Sequence, residues 1–282
     1  MTQGTEVVAE EAFPPPEPAH GDGPGRGPAG RRRRGRALAV LGVFGELLIT
    51  LGLVLGLFVS YSLWWTDVLA DRSAAVASDQ LRESWAAGPA TPPSSAPGTP
   101  GASGTPAPAG TPGAGPSYAA GDGIGFLHVP AMGRDYQVLI RMGTDPDTLS
   151  EGVAGVYEQP YRSAMPWDAT GNFTLAAHRD GHGAKFHDLD AVGKGAAVVV
   201  ETRDKWYVYR VDNTLPETSK FDTGIVAPVP KGSGYAGPGR YITLTTCTPV
   251  YTSRYRMAVW GSLVRVDDMD AKRTPPPELR HS

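Results

Sequence analysis

An apolar run from residue 37 to 65, broken by one charge at Glu46, follows directly on the basic stretch Arg31-Arg32-Arg33-Arg34-Gly35-Arg36. About 20 apolar residues span the hydrocarbon core of a bilayer, and residues 47–65 alone nearly reach that length. The positive-inside rule keeps the arginines in the cytoplasm, and Tyr61, Trp64 and Trp65 fall where an aromatic belt marks the opposite interface. A cleaved signal peptide also begins with basic residues, but its apolar core is shorter and ends in a small-x-small site. This run ends in Leu63-Trp64-Trp65, so an uncleaved signal anchor is expected, with everything after Trp65 outside the cell. Glu46 has two readings: a carboxylate near the inner boundary or facing a helical partner, or a contact to another membrane protein.

The span divides the rest of the chain. Residues 1–36 are Pro- and Gly-rich before the basic stop and are expected to be disordered in the cytoplasm. Residues 66–86 read as a weak helix stopped by Gly88 and Pro89. From 87 to 117 the chain is almost only Ala, Pro, Gly, Ser and Thr, a composition that buries no core and serves as a semi-extended tether. What remains is one domain, 118–266, followed by a short polar tail, 267–282.

That domain reads as all-β. Apolar or alternating runs rich in β-branched and aromatic residues occur at 124–129, 137–140, 173–177, 196–201, 206–211, 241–246 and 257–266, separated by turn signals such as Thr170-Gly171-Asn172 and Gly193-Lys194-Gly195. Many short strands with little helix point to a barrel or sandwich, with residues 186–192 the best candidate for a helical turn.

Three residue types in this domain can carry chemistry together. Cys247, the single cysteine, ends the run Thr243-Leu244-Thr245-Thr246-Cys247-Thr248-Pro249, where a thiol can be presented at a sheet edge as a nucleophile. His178, in Leu175-Ala176-Ala177-His178-Arg179, can exchange protons with it, and Arg254 or Arg256 can stabilise the oxygen that turns negative when a carbonyl is attacked. The two arginines are two residues apart, so on a strand both would point to one face. The thiolate is the reactive form and titrates jointly with a neighbouring imidazole, which leaves the dominant protonation state open. With no second cysteine, Cys247 has no disulfide partner within the chain.

Thr243-Leu244-Thr245-Thr246-Cys247 resembles the Thr-Leu-x-Thr-Cys pattern of sortases, residues 171–179 resemble the sortase histidine segment, and residues 124–130 resemble the first strand of that domain. The resemblance covers residues 123–266 in the right order. It implies an eight-stranded β-barrel with short helices, preceded by one transmembrane helix and a disordered linker. It also implies a membrane-anchored cysteine transpeptidase. Cys247 is then the nucleophile, His178 its acid/base partner, and Arg256, nine residues after the cysteine and directly before the last strand's apolar part, the electrostatic stabiliser. Arg254 is left as a solvated loop charge. Thr246 is either a contact to the substrate backbone or oxyanion, or an ordinary strand residue.

Around the span, Gly45-Glu46-Leu47-Leu48 and Leu63-Trp64-Trp65-Thr66 are most similar to class E, the housekeeping sortases. That likeness implies cleavage between Thr and Gly of a Leu-Ala-x-Thr-Gly or Leu-Pro-x-Thr-Gly type sorting signal. The partners implied are surface proteins bearing that signal, a lipid-linked peptidoglycan precursor as amine, and the membrane itself. A class C pilin polymerase usually carries a second membrane segment, and no apolar run follows Val266. A wall-spanning binding module without catalysis would be expected to lose the thiol, imidazole or arginine, and all three are present.

No cofactor or metal is expected. His182 lies four residues after His178, but Arg179 stands where a zinc-binding helix needs glutamate, and Gly181 and Gly183 make the segment a loop. His182 and His187 then sit at a groove rim, and Asp188, Asp190 and Glu201 lack calcium-ligand spacing. A net charge of −3 gives no reason to expect nucleic-acid binding.

Overall fold

The computed structural model describes residues 29–61, 65–87 and 118–280. Helix α1, Ala29–Ser60, contains the stretch Ala39–Ser60, 22 residues of mean hydropathy 2.3 that are long and apolar enough to cross a bilayer. It begins at Ala29, so the basic run lies in its first turns, as the good helix propensity of arginine allows. Of the expected aromatic belt, the rings of Tyr61 and Trp65 stack at 6.5 Å. Trp64, residues 88–117, where a tether is expected, and residues 1–28 lie outside the described residues.

Eight strands form a closed barrel in the order β1-β2-β3-β4-β7-β8-β6-β5. They are β1 Gly123–His128, β2 Gln137–Met142, β3 Ala154–Val156, β4 Gly171–Ala176, β5 Ala197–Glu201, β6 Lys205–Ser219, β7 Arg240–Thr248 and β8 Tyr255–Asp268. The β2–β3 and β4–β7 pairs are parallel and the others antiparallel. One short helix, α3, spans Pro146–Ser150, capped by Asp145, whose carboxylate accepts from Thr148 N at 3.0 Å.

Strand alternation decides which side chains fill the barrel. Leu127, Ile140, Phe173, Leu175, Val200, Tyr209, Ile242, Leu244, Met257 and Val259 point inward and form one buried core. Their neighbours point outward, and that outer wall is covered in three places. Helix α2, Thr66–Ala86, lays Ala74, Ala77, Leu81 and Trp85 on Phe126 and Leu139. The β6–β7 connection lays Ile225, Val226 and Tyr235 on Ala258 and Trp260. The segment after β8 lays Met269 and Leu279 on Val199, Trp206 and Val208, so the polar tail is docked rather than loose.

The sequence pattern misses β3 and the second half of β6. β3 is only three residues long and has a glycine at its centre, where a Cβ would stand 2.2 Å from the Gly143 carbonyl oxygen. Close backbone approach, not side-chain burial, makes it a strand. β6 runs on through Pro216, which ends a strand by ordinary propensity. Here the proline falls in a register shift between Leu215 and Thr218, where its missing N–H breaks no regular ladder bond. The helical turn expected at 186–192 is a single 3-10 turn, Leu189–Ala191.

One buried carboxylate fastens both ends of this unit. Glu201, 2% exposed, receives Arg82 of α2 at 3.1 Å, His128 of β1 at 3.0 Å and Arg273 of the tail at 2.8 Å. Burial pushes its carboxyl up, but the hydrogen bonds from His128, Arg82 and Arg273 together outweigh burial and hold it at about 2. Glu201→Ala is expected to lower stability by about 3 kcal/mol, the low end for a broken buried pair because both guanidiniums can rehydrate. Because the folded value lies below the ordinary one near 4.5, this contribution is complete above that pH and fades as pH falls toward 2. Urea unfolding followed by tryptophan fluorescence tests both: the wild-type and Glu201→Ala stabilities differ at pH 7 and converge in acid.

Candidate active site

The parallel β4–β7 ladder brings the histidine segment to the cysteine. It pairs Gly171 with Arg240 and continues residue by residue to Ala176 with Thr245. Beyond the end of β4 the same register persists in side-chain bonds. Thr246 Oγ1 donates to Ala177 O at 2.7 Å and Arg179 Nη1 donates to Thr248 Oγ1 at 3.0 Å, each pair 69 residues apart in sequence. At that separation His178 stands level with Cys247. On the other side of β7, Cys247 is the direct cross-strand partner of Arg256 in β8.

His178, Cys247 and Arg256 therefore form one row across neighbouring strands, which lie about 4.8 Å apart. Directly opposed residues share a face. Ala177 and Met257 point into the core, so their neighbours His178 and Arg256 point outward, and Cys247 points outward with Thr245 and Thr243. The row lies on the outer wall near the C-terminal end of β7. β7 is flanked on both sides, so Cys247 is presented from the face of an interior strand, not from the sheet edge expected from sequence. Closure of the barrel leaves no edge at that point.

Each side chain has a distinct setting. Cys247 is free and half-buried. Arg256 is half-buried, with Nη1 donating to the carbonyls of Ser253 at 3.2 Å and Tyr255 at 3.0 Å. Arg254 lies before β8, exposed in the turn, with its guanidinium carbon 5.8 Å from the centre of the Tyr255 ring. The two arginines thus do not share a strand face. The His178 imidazole lies 5.2 Å from the His182 ring, centre to centre, and its Nε2 is shielded from solvent with no partner within the described residues. Burial pushes the His178 pKa down, the neighbouring His182 charge adds to this, and Asp180 opposes it in part. His182 is half-buried against His178 rather than a free rim residue, while His187 is exposed, with Nδ1 2.9 Å from Arg179 O.

Thr246 faces inward. It is 3% exposed and its hydroxyl is occupied by the Ala177 carbonyl, so that hydroxyl is turned away from the outer face where a substrate would lie. The other motif threonines are also tied to the protein: Thr245 Oγ1 donates to Met257 O, and Thr243 Oγ1 to Asn172 Oδ1, while Asn172 Nδ2 donates to Ala227 O of the β6–β7 connection. The motif's β-branched hydroxyls join β4, β7, β8 and the covering loop.

Three neighbours carry no recognisable signal in the sequence. Tyr157, just after β3, packs with Trp260 and Ala258; burial pushes its phenol up, the Arg256 charge pulls it down and Cys247 pushes it up. Arg179, 6% exposed, also meets Asp190 at 3.0 Å, and Asp180 accepts from Tyr251 N in the β7–β8 turn. Arg179 and Asp180 flank a recognised histidine, yet only the register shows that they lock its segment to β7 and the following turn.

The sequence model of the Sortase domain matches residues 127–264. The chain is 51% identical over 263 residues to Sortase SrtE2 of Streptomyces coelicolor, covering 93% of this chain and 97% of that protein. The chain belongs to the sortase family. It is also 40% identical to Sortase SrtE1 of the same organism over 83% of this chain and 60% of that one. The crystal structure of sortase E1 from Streptomyces coelicolor with a tripeptide in the active site superposes with a TM-score of 0.54 at 42% identity, over 58% of this chain and all of that one. Sortase E from Streptomyces avermitilis gives 0.50 at 32%, again over 58% of this chain and all of that one. Among sortases this chain is most similar to class E, and it is an enzyme, a cysteine transpeptidase.

In this sortase, Thr246→Val removes a buried hydroxyl while keeping its shape and leaves the Ala177 carbonyl without its donor. The expected cost is about 1 kcal/mol, read as a melting temperature lower by about 3 °C in thermal unfolding. An unchanged melting temperature would contradict the tie between β7 and the histidine segment.

Proposed function

We propose that this enzyme, held by α1 as a single-pass anchor with its N-terminus in the cytoplasm, cleaves a C-terminal sorting signal between Thr and Gly outside the cell and transfers the protein to a peptidoglycan-precursor amine. The observation that carries this reading is the row His178, Cys247, Arg256 on one outer face. In the proposed organisation, residues 1–36 are the cytoplasmic leader with its basic stop, 37–65 the membrane anchor, 66–86 a juxtamembrane helix, 87–117 a tether, 118–266 the catalytic domain and 267–282 the tail.

The chemistry follows from the row. Cys247 Sγ, as thiolate, attacks the Thr carbonyl carbon, and the negative oxygen is met by the Arg256 guanidinium. As the C–N bond breaks, the leaving Gly amine takes a proton from the His178 imidazolium, giving a thioacyl enzyme. The incoming amine then attacks that carbonyl, gives a proton to His178, and releases the thiolate. The shielded Nε2 of His178, which has no partner among the described residues, supports this role, because such a ring nitrogen keeps its capacity for the substrate. The class E likeness supports a Leu-Ala-x-Thr-Gly signal over Leu-Pro-x-Thr-Gly.

The test is turnover of fluorogenic Leu-Ala-x-Thr-Gly and Leu-Pro-x-Thr-Gly peptides by the purified full chain in detergent, with a glycine amine as acceptor. Cys247→Ala is expected to abolish transpeptidation, and His178→Ala and Arg256→Ala to lower kcat/KM by at least about 100-fold. Arg254→Ala stays within about twofold of wild type, the scale of a uniform surface effect. Transpeptidation that survives Cys247→Ala rejects the mechanism. Greater loss from Arg254→Ala than from Arg256→Ala reverses the choice of arginine.

A further inference from the structure

The loop that follows His178 is gripped from outside the barrel by α2. Gly183 N donates to Asp67 Oδ1 at 2.8 Å, and Lys185 Nζ meets Asp71 Oδ1 at 2.7 Å. Between those carboxylates, Ala70 is 3% exposed and packs on Gly152, where an added Cβ would stand 3.2 Å from the Ala70 carbonyl oxygen. A Cβ on Gly183 would come within 3.0 Å of Asp71 Oδ1, so helix and loop meet with no room for a side chain.

The gripped loop is conformationally costly. Gly181, His182, Gly183 and Ala184 all have positive φ, at 61°, 50°, 78° and 40°. For His182 and Ala184 this region costs on the order of 1 kcal/mol each and persists only when the surroundings enforce it. The loop's own bonds, Ala184 N to Gly181 O at 2.9 Å and Phe186 N to His178 O at 2.9 Å, close its base. Its tip is fixed by Asp67 and Asp71. His182, one residue before Gly183, is the residue whose ring rests on His178.

We propose that α2 positions the His178 imidazole: Asp67 and Asp71 hold the 181–185 loop in its strained form, which keeps His182 against His178 and closes that side of the ring. Neither carboxylate is a catalytic residue. The inference rests on the reading of His178 as the acid/base group. The charged and titratable groups around His178 are His182 and Asp180 on its own loop, Cys247 on β7 and Arg256 on β8, with Asp67, Asp71 and Lys185 at the α2 contact. Releasing the loop hydrates the imidazole and removes the His182 charge, both of which raise its pKa.

The experiment compares the full chain in detergent with Asp67→Ala, Asp67→Asn, Asp71→Lys and the reversed pair Asp71→Lys with Lys185→Asp, using kcat, KM and the pH dependence of kcat/KM. Asp67→Ala is expected to lower kcat about 3- to 10-fold through misplacement of the ring, with KM within about twofold, and to move the imidazole limb of the pH profile upward. Asp67→Asn keeps an oxygen acceptor for Gly183 and is expected to retain wild-type values. Unchanged kcat in Asp67→Ala, a fall in kcat with the pH limb unmoved, or an Asn variant as impaired as Ala overturns the proposal. If Asp67→Ala does not fold, the Asp71 series decides. Recovery of kcat and of the pH limb by the reversed pair supports the proposal, and a double variant as slow as Asp71→Lys rejects it. Turnover surviving His178→Ala is a separate result that removes the underlying acid/base reading.

Discussion

The parallel pairing of β4 with β7 is the constraint on which the site depends. A parallel ladder cannot be closed by a tight turn, so a long connection must separate its strands, and here that connection contains β5, β6 and the loop that covers Trp260. The pairing sets a fixed sequence offset, and every outward residue on β4 thereby acquires a defined neighbour on β7. Chemistry assembled from residues this distant in the chain is only as accurate as that register. The threonine hydroxyls joining Thr246 to Ala177 and Thr243 to Asn172 are buried hydrogen bonds that a slip by one residue would break.

The outer wall of the barrel explains why the row is accessible. Three coverings shield it elsewhere: α2, the β6–β7 connection and the segment after β8. Cys247 and Arg256 belong to none of these three covered patches and are half-buried. A thiol in this position is exposed enough to meet a peptide and enclosed enough for nearby charges to act through little water.

Much of this was legible in the sequence because it is written in local patterns. Alternating apolar residues mark β1, β2, β4, β5, β7 and β8, and the motif ending at Cys247 with the histidine segment resembles one family in both content and order. What was not legible is long-range. β3 is a strand because Gly155 lets two backbones approach, and β6 passes through Pro216 because a register shift accepts it. Tyr157 meets Ala258 and Trp260 only through the fold, and the inward turn of Thr246 is a matter of strand parity that a motif does not reveal. The choice of Arg256 over Arg254 came from family spacing. The structure adds the geometric difference: one arginine is opposite the cysteine and the other is in the turn before the strand.

Glu201 ties together parts of the protein that are remote in sequence: a guanidinium from α2 and another from beyond the last strand converge on it, and Arg273 also lies 4.5 Å from the centre of the Trp85 ring. The two extremities of the folded unit are therefore mechanically linked. Proteolytic trimming at the C-terminus that removes Arg273 would be felt at Trp85, loosening a helix more than a hundred residues upstream while every strand stays intact.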